Sequence, residues 1–124
     1  MAVGTVTIIE ERLEPTKKVS FAWVSGTDAE VGTAGGTTTY PYSGTIERLV
    51  TDPGATAPTD DYDVVINDED SVDVLMGAGA DRDTANTEQV NASSLGIVVG
   101  DKLTLAITNA GSAKTGTVHL YIRG

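Results

Sequence analysis

The sequence predicts an all-β protein, built as a single-domain β-sandwich or jelly roll of about seven to eight mainly antiparallel strands. Two observations support this. The 124 residues include 18 threonines and 14 glycines, and the aliphatic residues favour Val and Ile, whose branched side chains suit a pleated sheet. In addition, several short segments alternate apolar and polar residues, whereas no stretch of ten or more residues has helical periodicity. The length fits one domain over residues 1–124.

The first half of the chain predicts four strands, over residues 5–12, 17–25, 37–42 and 45–51. The second is the clearest, because Val19, Phe21 and Trp23 alternate with polar or small residues and are expected in the core. Pro41 marks the third as an edge strand, since proline cannot donate to a ladder. After the fourth, Pro53 and Gly54 predict a type II turn in which the glycine has positive φ.

The second half predicts a strand over 62–67, a polar turn over 67–71 and a return strand over 72–76. A strand is expected from residue 100, with Leu103, Leu105 and Ile107 on one face. The last strand should place Val118, Leu120 and Ile122 inward. Residues 26–36 are interpreted as a loop. Residues 77–94 form the longest segment without a strand pattern and are a candidate contact loop.

The charge balance excludes two classes of partner. The formal net charge is −10, with 18 acidic and eight basic side chains, and the bases are scattered along the chain. Proteins that bind nucleic acid neutralise phosphates with clustered Lys and Arg, and anionic membranes attract similar clusters. We therefore expect no nucleic-acid partner and no membrane partner.

Catalytic chemistry has little support in the sequence. The chain has no Cys and a single His, His119, which lies at an alternating position of the last predicted strand with no Gly-x-Ser-x-Gly motif elsewhere. We therefore expect no enzyme activity, no catalytic residue and no cofactor. Seven acids between Asp60 and Asp73 offer oxygen ligands for Ca²⁺. Because the spacing of a calcium loop is missing there, a solvated hairpin tip is the favoured interpretation and no metal ligand is assigned.

The aromatic residues divide into two groups. Phe21 and Trp23 are expected in the core, which weakens a sugar-binding platform. Tyr40 and Tyr42 flank Pro41 on the predicted edge strand. Because exposed tyrosines are favoured at protein interfaces, this pair is the candidate interface site.

Two sequence runs resemble small virion structural proteins of tailed bacteriophages. The first is residues 44–77, GTIERLVTDPGATAPTDDYDVVINDEDSVDVLMG; the second combines GDKLTLAITNAG from residue 100 with TVHLYIR from residue 117. In such proteins we would expect a glycine in the tight turn where this sequence has Ser71. The resemblance implies a capsid decoration (cement) protein on the head exterior, made in the host cytoplasm, with the major capsid protein as its partner. A tail or head–tail joining protein and a host-surface carbohydrate-binding module are the alternatives.

A decoration protein needs contact surfaces rather than chemistry. An icosahedral lattice offers many threefold positions, where three linked copies gain by multivalency, so a homotrimer is expected. The acid-rich stretch from Asp60 to Asp73 should face solvent, because burying unpaired like charges is costly. We expect shell contacts from Tyr40 and Tyr42, from residues 77–94, and from a short N-terminal segment, residues 1–4, acting as an arm.

Overall fold

The computed structural model describes residues 4–12, 15–27 and 32–124, and this part of the chain forms a two-sheet β-sandwich. Its nine strands are β1 (Thr5–Glu11), β2 (Thr16–Val24), β3 (Ala34–Thr37), β4 (Tyr42–Pro53), β5 (Asp63–Asn67), β6 (Glu88–Asn91), β7 (Ile97–Asp101), β8 (Thr104–Thr108) and β9 (Thr115–Arg123). A short 3-10 turn, Ala92–Ser94, separates β6 from β7. Among these residues, no helix has the length and apolar character needed to cross a membrane.

The large sheet has six antiparallel strands in the order β1-β2-β9-β4-β6, and β7 pairs with β4 beside β6. Its centre is the pairing of β2 with β9, which runs over nine residues from Thr16 opposite Arg123 to Val24 opposite Thr115. A β-bulge in β4 between Ile46 and Arg48 shifts the register against β9. Because side chains alternate along each strand, this sheet has one face in the core and one face toward solvent.

The small sheet has three antiparallel strands in the order β3-β8-β5. Its β3 edge packs against β1, where a Cβ added to Gly36 would lie 3.2 Å from the Cβ of Val6. Its β5 edge is covered by residues 73–82, since the amide of Val74 donates to the Ile66 carbonyl at 2.8 Å and the amide of Val64 to the Gly79 carbonyl at 2.8 Å. Both edges of the small sheet are therefore protected.

The core lies between the two sheets and confirms the predicted inward faces of β2, β8 and β9. Phe21, Leu105 and Leu120 are fully buried, and the Trp23 ring meets the Tyr62 ring at a centroid distance of 5.6 Å. The indole lies over Gly116, where a Cβ would collide with it. The other large buried side chains are Tyr42, Ile46, Leu49, Ile66, Leu75, Leu103 and Ile107.

Two predicted strands are wrong, and a carboxylate explains each difference. Residues 37–42 turn instead of extending, because Glu10 accepts the amides of Thr39 and Tyr40 that a ladder would have used. Residues 72–76 also curl into turns, since the Asp73 carboxylate accepts three nearby amides, and a single bridge to Asn67 remains of the predicted hairpin. A side-chain acceptor has replaced the partner strand in both cases.

Other boundaries also differ from prediction. The strand expected from residue 100 is two strands, β7 and β8, and β6 lies within the predicted contact loop. Gly54 does not have positive φ, so the type II turn is wrong; a glycine is needed there because a Cβ would collide with Thr115. Of the predicted N-terminal arm, only Gly4 lies within the described residues.

Candidate functional site

His119 lies on the solvent face of the large sheet and bonds to a serine. Its Nδ1 is 2.8 Å from the Oγ of Ser20, the residue opposite it on β2. Burial, helped by the positive charge of Lys18, holds the pKa of His119 below its ordinary value. Both residues lie within regular strands, whose backbone amides serve the sheet ladder, and neither residue follows a strand-to-helix turn of the kind that exposes a serine nucleophile. The pair has the geometry of a cross-strand polar contact.

The predicted interface tyrosines occupy different environments. Tyr42 is buried in the core, and its hydroxyl donates to Glu10 at 2.7 Å, so its expected exposure is wrong. Tyr40 is 40% exposed, and the Arg12 guanidinium carbon lies 3.6 Å from the centre of its ring. The turn at residues 39–40, rather than a straight strand, separates the two side chains. Tyr40 alone of the pair offers an aromatic surface to a partner.

Glu10 organises this turn. Its carboxylate accepts the amides of Thr39 at 2.9 Å and Tyr40 at 3.1 Å, besides the Tyr42 hydroxyl. Partial burial alone would raise the pKa of Glu10, but the hydrogen bonds outweigh it and hold the pKa below its ordinary value. The same contact, with burial as the larger cause, raises the pKa of Tyr42 well above its ordinary value. Glu10 is therefore an ionised anchor between β1 and the start of β4.

Negative charge is concentrated on the small-sheet side of the sandwich. Nine of the 18 acids lie between Asp60 and Asp83, in β5 and the loops around it, together with one base, Arg82. None of the seven acids predicted to face solvent between Asp60 and Asp73 is buried. Repulsion from Asp60 and from three other nearby aspartates raises the pKa of Asp61. We call this region the acidic side.

Within the acidic side, three carboxylates meet at the end of β7. Asp68, Asp70 and Asp101 each place an oxygen so that the three oxygens lie within 4.8 Å of one another. The Asp68 carboxylate also accepts the amides of Asp70 and Val72, which forms the turn predicted there. Asp101 could not be grouped with these acids from the sequence, because it lies 31 residues beyond Asp70 and only the fold brings it close.

The opposite surface is the solvent side of the large sheet, which we call the outer face. Here the half-buried Tyr121 lies between two cations, with Lys18 Nζ 5.6 Å and the Arg48 guanidinium carbon 5.3 Å from its ring centre. Arg123 adds a third cation, 3.8 Å from Glu47. The acids on this face are Glu11, Glu47 and Asp52, so its charges balance while the acidic side is strongly negative.

The predicted contact loop, residues 77–94, is mostly part of the sandwich. Its first part covers β5. There Arg82 forms an antiparallel β-bridge with Tyr62 through the backbone, and its guanidinium lies 3.7 Å from the Glu88 carboxylate. Its last part forms β6 and the 3-10 turn. Residues 85–87 are exposed, so this short part of the predicted contact loop is accessible to a partner.

The six aromatic side chains do not form an exposed platform. Phe21, Trp23, Tyr42 and Tyr62 are buried, Tyr121 is half-buried between cations, and Tyr40 is the single exposed ring. A platform for stacking sugar rings needs several accessible aromatic faces, and the described residues provide one such face, at Tyr40.

Exposed apolar side chains collect around β7. Ile97 and Val99 are 63% and 74% exposed, and Val98 between them is buried. Met76 is 70% exposed and lies beside Gly96, where an added Cβ would be 3.5 Å from its sulfur. Val72, which is 57% exposed, belongs to the same loop. We call these four side chains with the strand β7 the β7 flank. The flank was not predicted, because residues 97–99 have the sequence of an ordinary buried strand.

Comparison with known proteins gives no family for this chain. No family model matches it, and no curated protein matches it. Among solved structures, it is similar to an arabinose-bound α-L-arabinofuranosidase (TM-score 0.46, 11% identity, 98% of this chain and 22% of that one). It is also similar to the xylan-binding module CBM86 of Roseburia intestinalis (0.40, 9%, 95% and 84%) and to infectious bursal disease virus, Gx strain (0.33, 11%, 98% and 32%).

Proposed function

We propose that this protein is a capsid decoration protein of a tailed bacteriophage, which binds the major capsid protein on the outside of the head. The observation that carries the proposal is the layered charge of the sandwich. The acidic side, with nine acids and one base, suits exposure to solvent, whereas the outer face has balanced charges and a half-buried aromatic ring. A charge-balanced, hydrogen-bonding surface can be desolvated at lower cost than the acidic side.

The fold and the sequence resemblance support the same function. A rigid sandwich with a large buried core can bridge neighbouring shell subunits without undergoing chemistry. The net charge of −10 opposes a position against packaged DNA and favours the exterior of the head. In this proposal the protein binds the shell through the outer face of the large sheet, with Tyr40 as a further contact, and is made in the host cytoplasm.

Titration of purified heads tests the function. Adding excess protein to heads that lack it should saturate at a fixed ratio to shell subunits and raise their resistance to heat. The lattice argument expects three copies at each threefold position. A map of the intact virion should contain hundreds of copies on the head. A handful of copies at the tail or its junction would refute decoration and favour a tail or head–tail joining protein.

A matched pair of variants tests the docking face. Ala22→Arg introduces a long cation at an exposed position of the outer face, and Thr108→Arg introduces the same side chain at an exposed position of the small sheet. We expect Ala22→Arg to weaken binding to heads roughly tenfold or more, equivalent to about 1.4 kcal/mol. Thr108→Arg should bind as the parent protein does, and Tyr40→Ala should weaken binding. Equal binding by the two arginine variants would contradict the proposed face.

A further inference from the structure

The β7 flank contains an open strand edge. Among the described residues, β7 pairs with β4 on one side, and no strand pairs with its second side. Its first three residues, IVV, carry no charge and no Pro, and two of them are exposed aliphatic side chains. Beyond them β7 bulges against β4, where Gly100 has a φ of 64°. Natural proteins protect free edges with charges, prolines or cover, because an open edge is a template for pairing with another strand.

The other strand edges of the sandwich are protected. The β1 strand ends in two glutamates and packs against β3, and residues 73–82 cover β5. The four-residue strand β6 begins with Glu88 and Gln89. The contrast identifies β7 as the edge that a partner would cover.

We propose that β7 pairs antiparallel with β7 of a second copy of this chain, with Ile97 opposite Val99, so that the two large sheets become continuous. The strand is self-complementary in this register, because the pairing uses residues 97–99, which carry no charge and precede the bulge at Gly100. Val99 and Ile97 then contribute the apolar cross-strand pairs that stabilise a sheet.

Charge favours this register. With Val98 at the centre, the two Asp101 residues lie beyond opposite ends of the paired segment, six positions or about 20 Å apart along the strand. This exceeds the screening length of about 8 Å at physiological salt. A register centred on Asp101 would place Asp101 opposite Asp101 and bring the two carboxylate clusters of Asp68, Asp70 and Asp101 together. Repulsion between six carboxylates opposes that register.

The pair should be weak and reversible in solution. A standard interface takes about 20–30 residues from each side. The β7 flank offers a five-residue strand and two side chains from the neighbouring loop, Val72 and Met76. We therefore expect the association to increase with protein concentration and to disappear on dilution.

The absence of cysteine from the chain gives a clean test in free protein. Residues directly opposite each other in an antiparallel pair have Cα atoms about 4.5–5.5 Å apart, within the range that a disulfide spans. Under mild oxidation with oxidised glutathione, an equimolar mixture of Ile97→Cys and Val99→Cys should form a covalent dimer faster than either variant alone. Ile9→Cys on β1 and Gln89→Cys on β6 are exposed edge controls and should stay mainly monomeric.

A second variant measures the association without a disulfide. Sedimentation of the parent protein should show a monomer–dimer equilibrium, and Val99→Lys should remain monomeric with an unchanged denaturation midpoint. Cross-linking of the Ile97→Cys and Val99→Cys mixture no faster than that of Ile9→Cys, with a monomeric mass at the highest concentration, would refute the pairing. A trimeric mass that Val99→Lys leaves intact would also refute it. These measurements contain no heads, so their failure is distinct from failure of the decoration function.

Discussion

Removing the ionised acceptor at Glu10 should loosen the corner between β3 and β4. Glu10→Gln keeps the size of the side chain but replaces one acceptor oxygen with an NH₂ group, so the amides of Thr39 and Tyr40, which bond to different oxygens, can no longer both be accepted. Hydrogen bonds to a charged group contribute about 1.5–3 kcal/mol each, and partial solvent access reduces that value. We expect the free energy of unfolding to fall by about 1–3 kcal/mol.

Trp23 supplies the assay, because it is the only tryptophan and is buried against the opposite sheet. Its fluorescence in a urea titration should report unfolding of the whole sandwich. The matched control is Glu11→Gln, which removes the neighbouring carboxylate from an exposed position. Exposed charge contacts contribute about 0–1 kcal/mol, so the control should change stability little.

The pH dependence of stability distinguishes loss of the hydrogen-bonded carboxylate from loss of side-chain packing in Glu10→Gln. The folded pKa of Glu10 is below its ordinary value of 4.5, so its contribution is complete above pH 4.5 and is lost as pH falls through the folded pKa. The stability difference between the parent protein and Glu10→Gln should therefore shrink below pH 4.5. A cost equal to that of Glu11→Gln, or a difference that stays constant down to pH 3, would refute the reasoning.

Three further predictions concern the core, one turn and the histidine. Phe21→Ala and Leu105→Ala each empty a fully buried site and should cost about 2–5 kcal/mol in urea unfolding; unchanged midpoints would contradict the assigned strand faces. Ser71 has a φ of 62°, so Ser71→Gly should stabilise the protein by up to about 1 kcal/mol, whereas Ser94→Gly in the 3-10 turn should destabilise it. Burial lowers the pKa of His119, so its contribution is complete above about pH 6.5 and is lost as pH falls through the folded pKa; His119→Gln should remove that part of the stability profile, and an unchanged profile would contradict it.

Alternation predicted the core because it is a local property of each strand. The inward faces of β2, β8 and β9 follow from the residues of those strands alone, and the structure confirms them. One wrong prediction, the strand over residues 37–42, falls where a distant carboxylate competes for backbone amides. Nothing in residues 37–42 indicates that Glu10, about 30 residues earlier, will accept two of their amides. Non-local hydrogen bonds of this kind have no periodic signature in a single sequence.

The candidate surfaces were predictable in part. The acidic side follows from the density of acids between Asp60 and Asp83, but the outer face depends on pairings between strands that are distant in sequence. Lys18, Arg48 and Tyr121 become neighbours solely through the register of β2, β9 and β4. Tyr42 was predicted to be exposed together with Tyr40. The turn at residues 39–40 interrupts the predicted strand, so the two side chains no longer share a face. Such surfaces require the sheet order, which composition and alternation do not contain.

The proposed docking face and the proposed strand pair are geometrically compatible. Antiparallel pairing through β7 relates two copies by a twofold axis perpendicular to the shared sheet, so both outer faces point to the same side. Both acidic sides then point away from the shell, which keeps the like charges in solvent. A pair of this kind fits the twofold and quasi-twofold positions of an icosahedral lattice. The homotrimer expected at threefold positions would need a contact other than β7 pairing. The stoichiometry on heads, together with the mass of free protein, therefore distinguishes two assemblies that share one docking face.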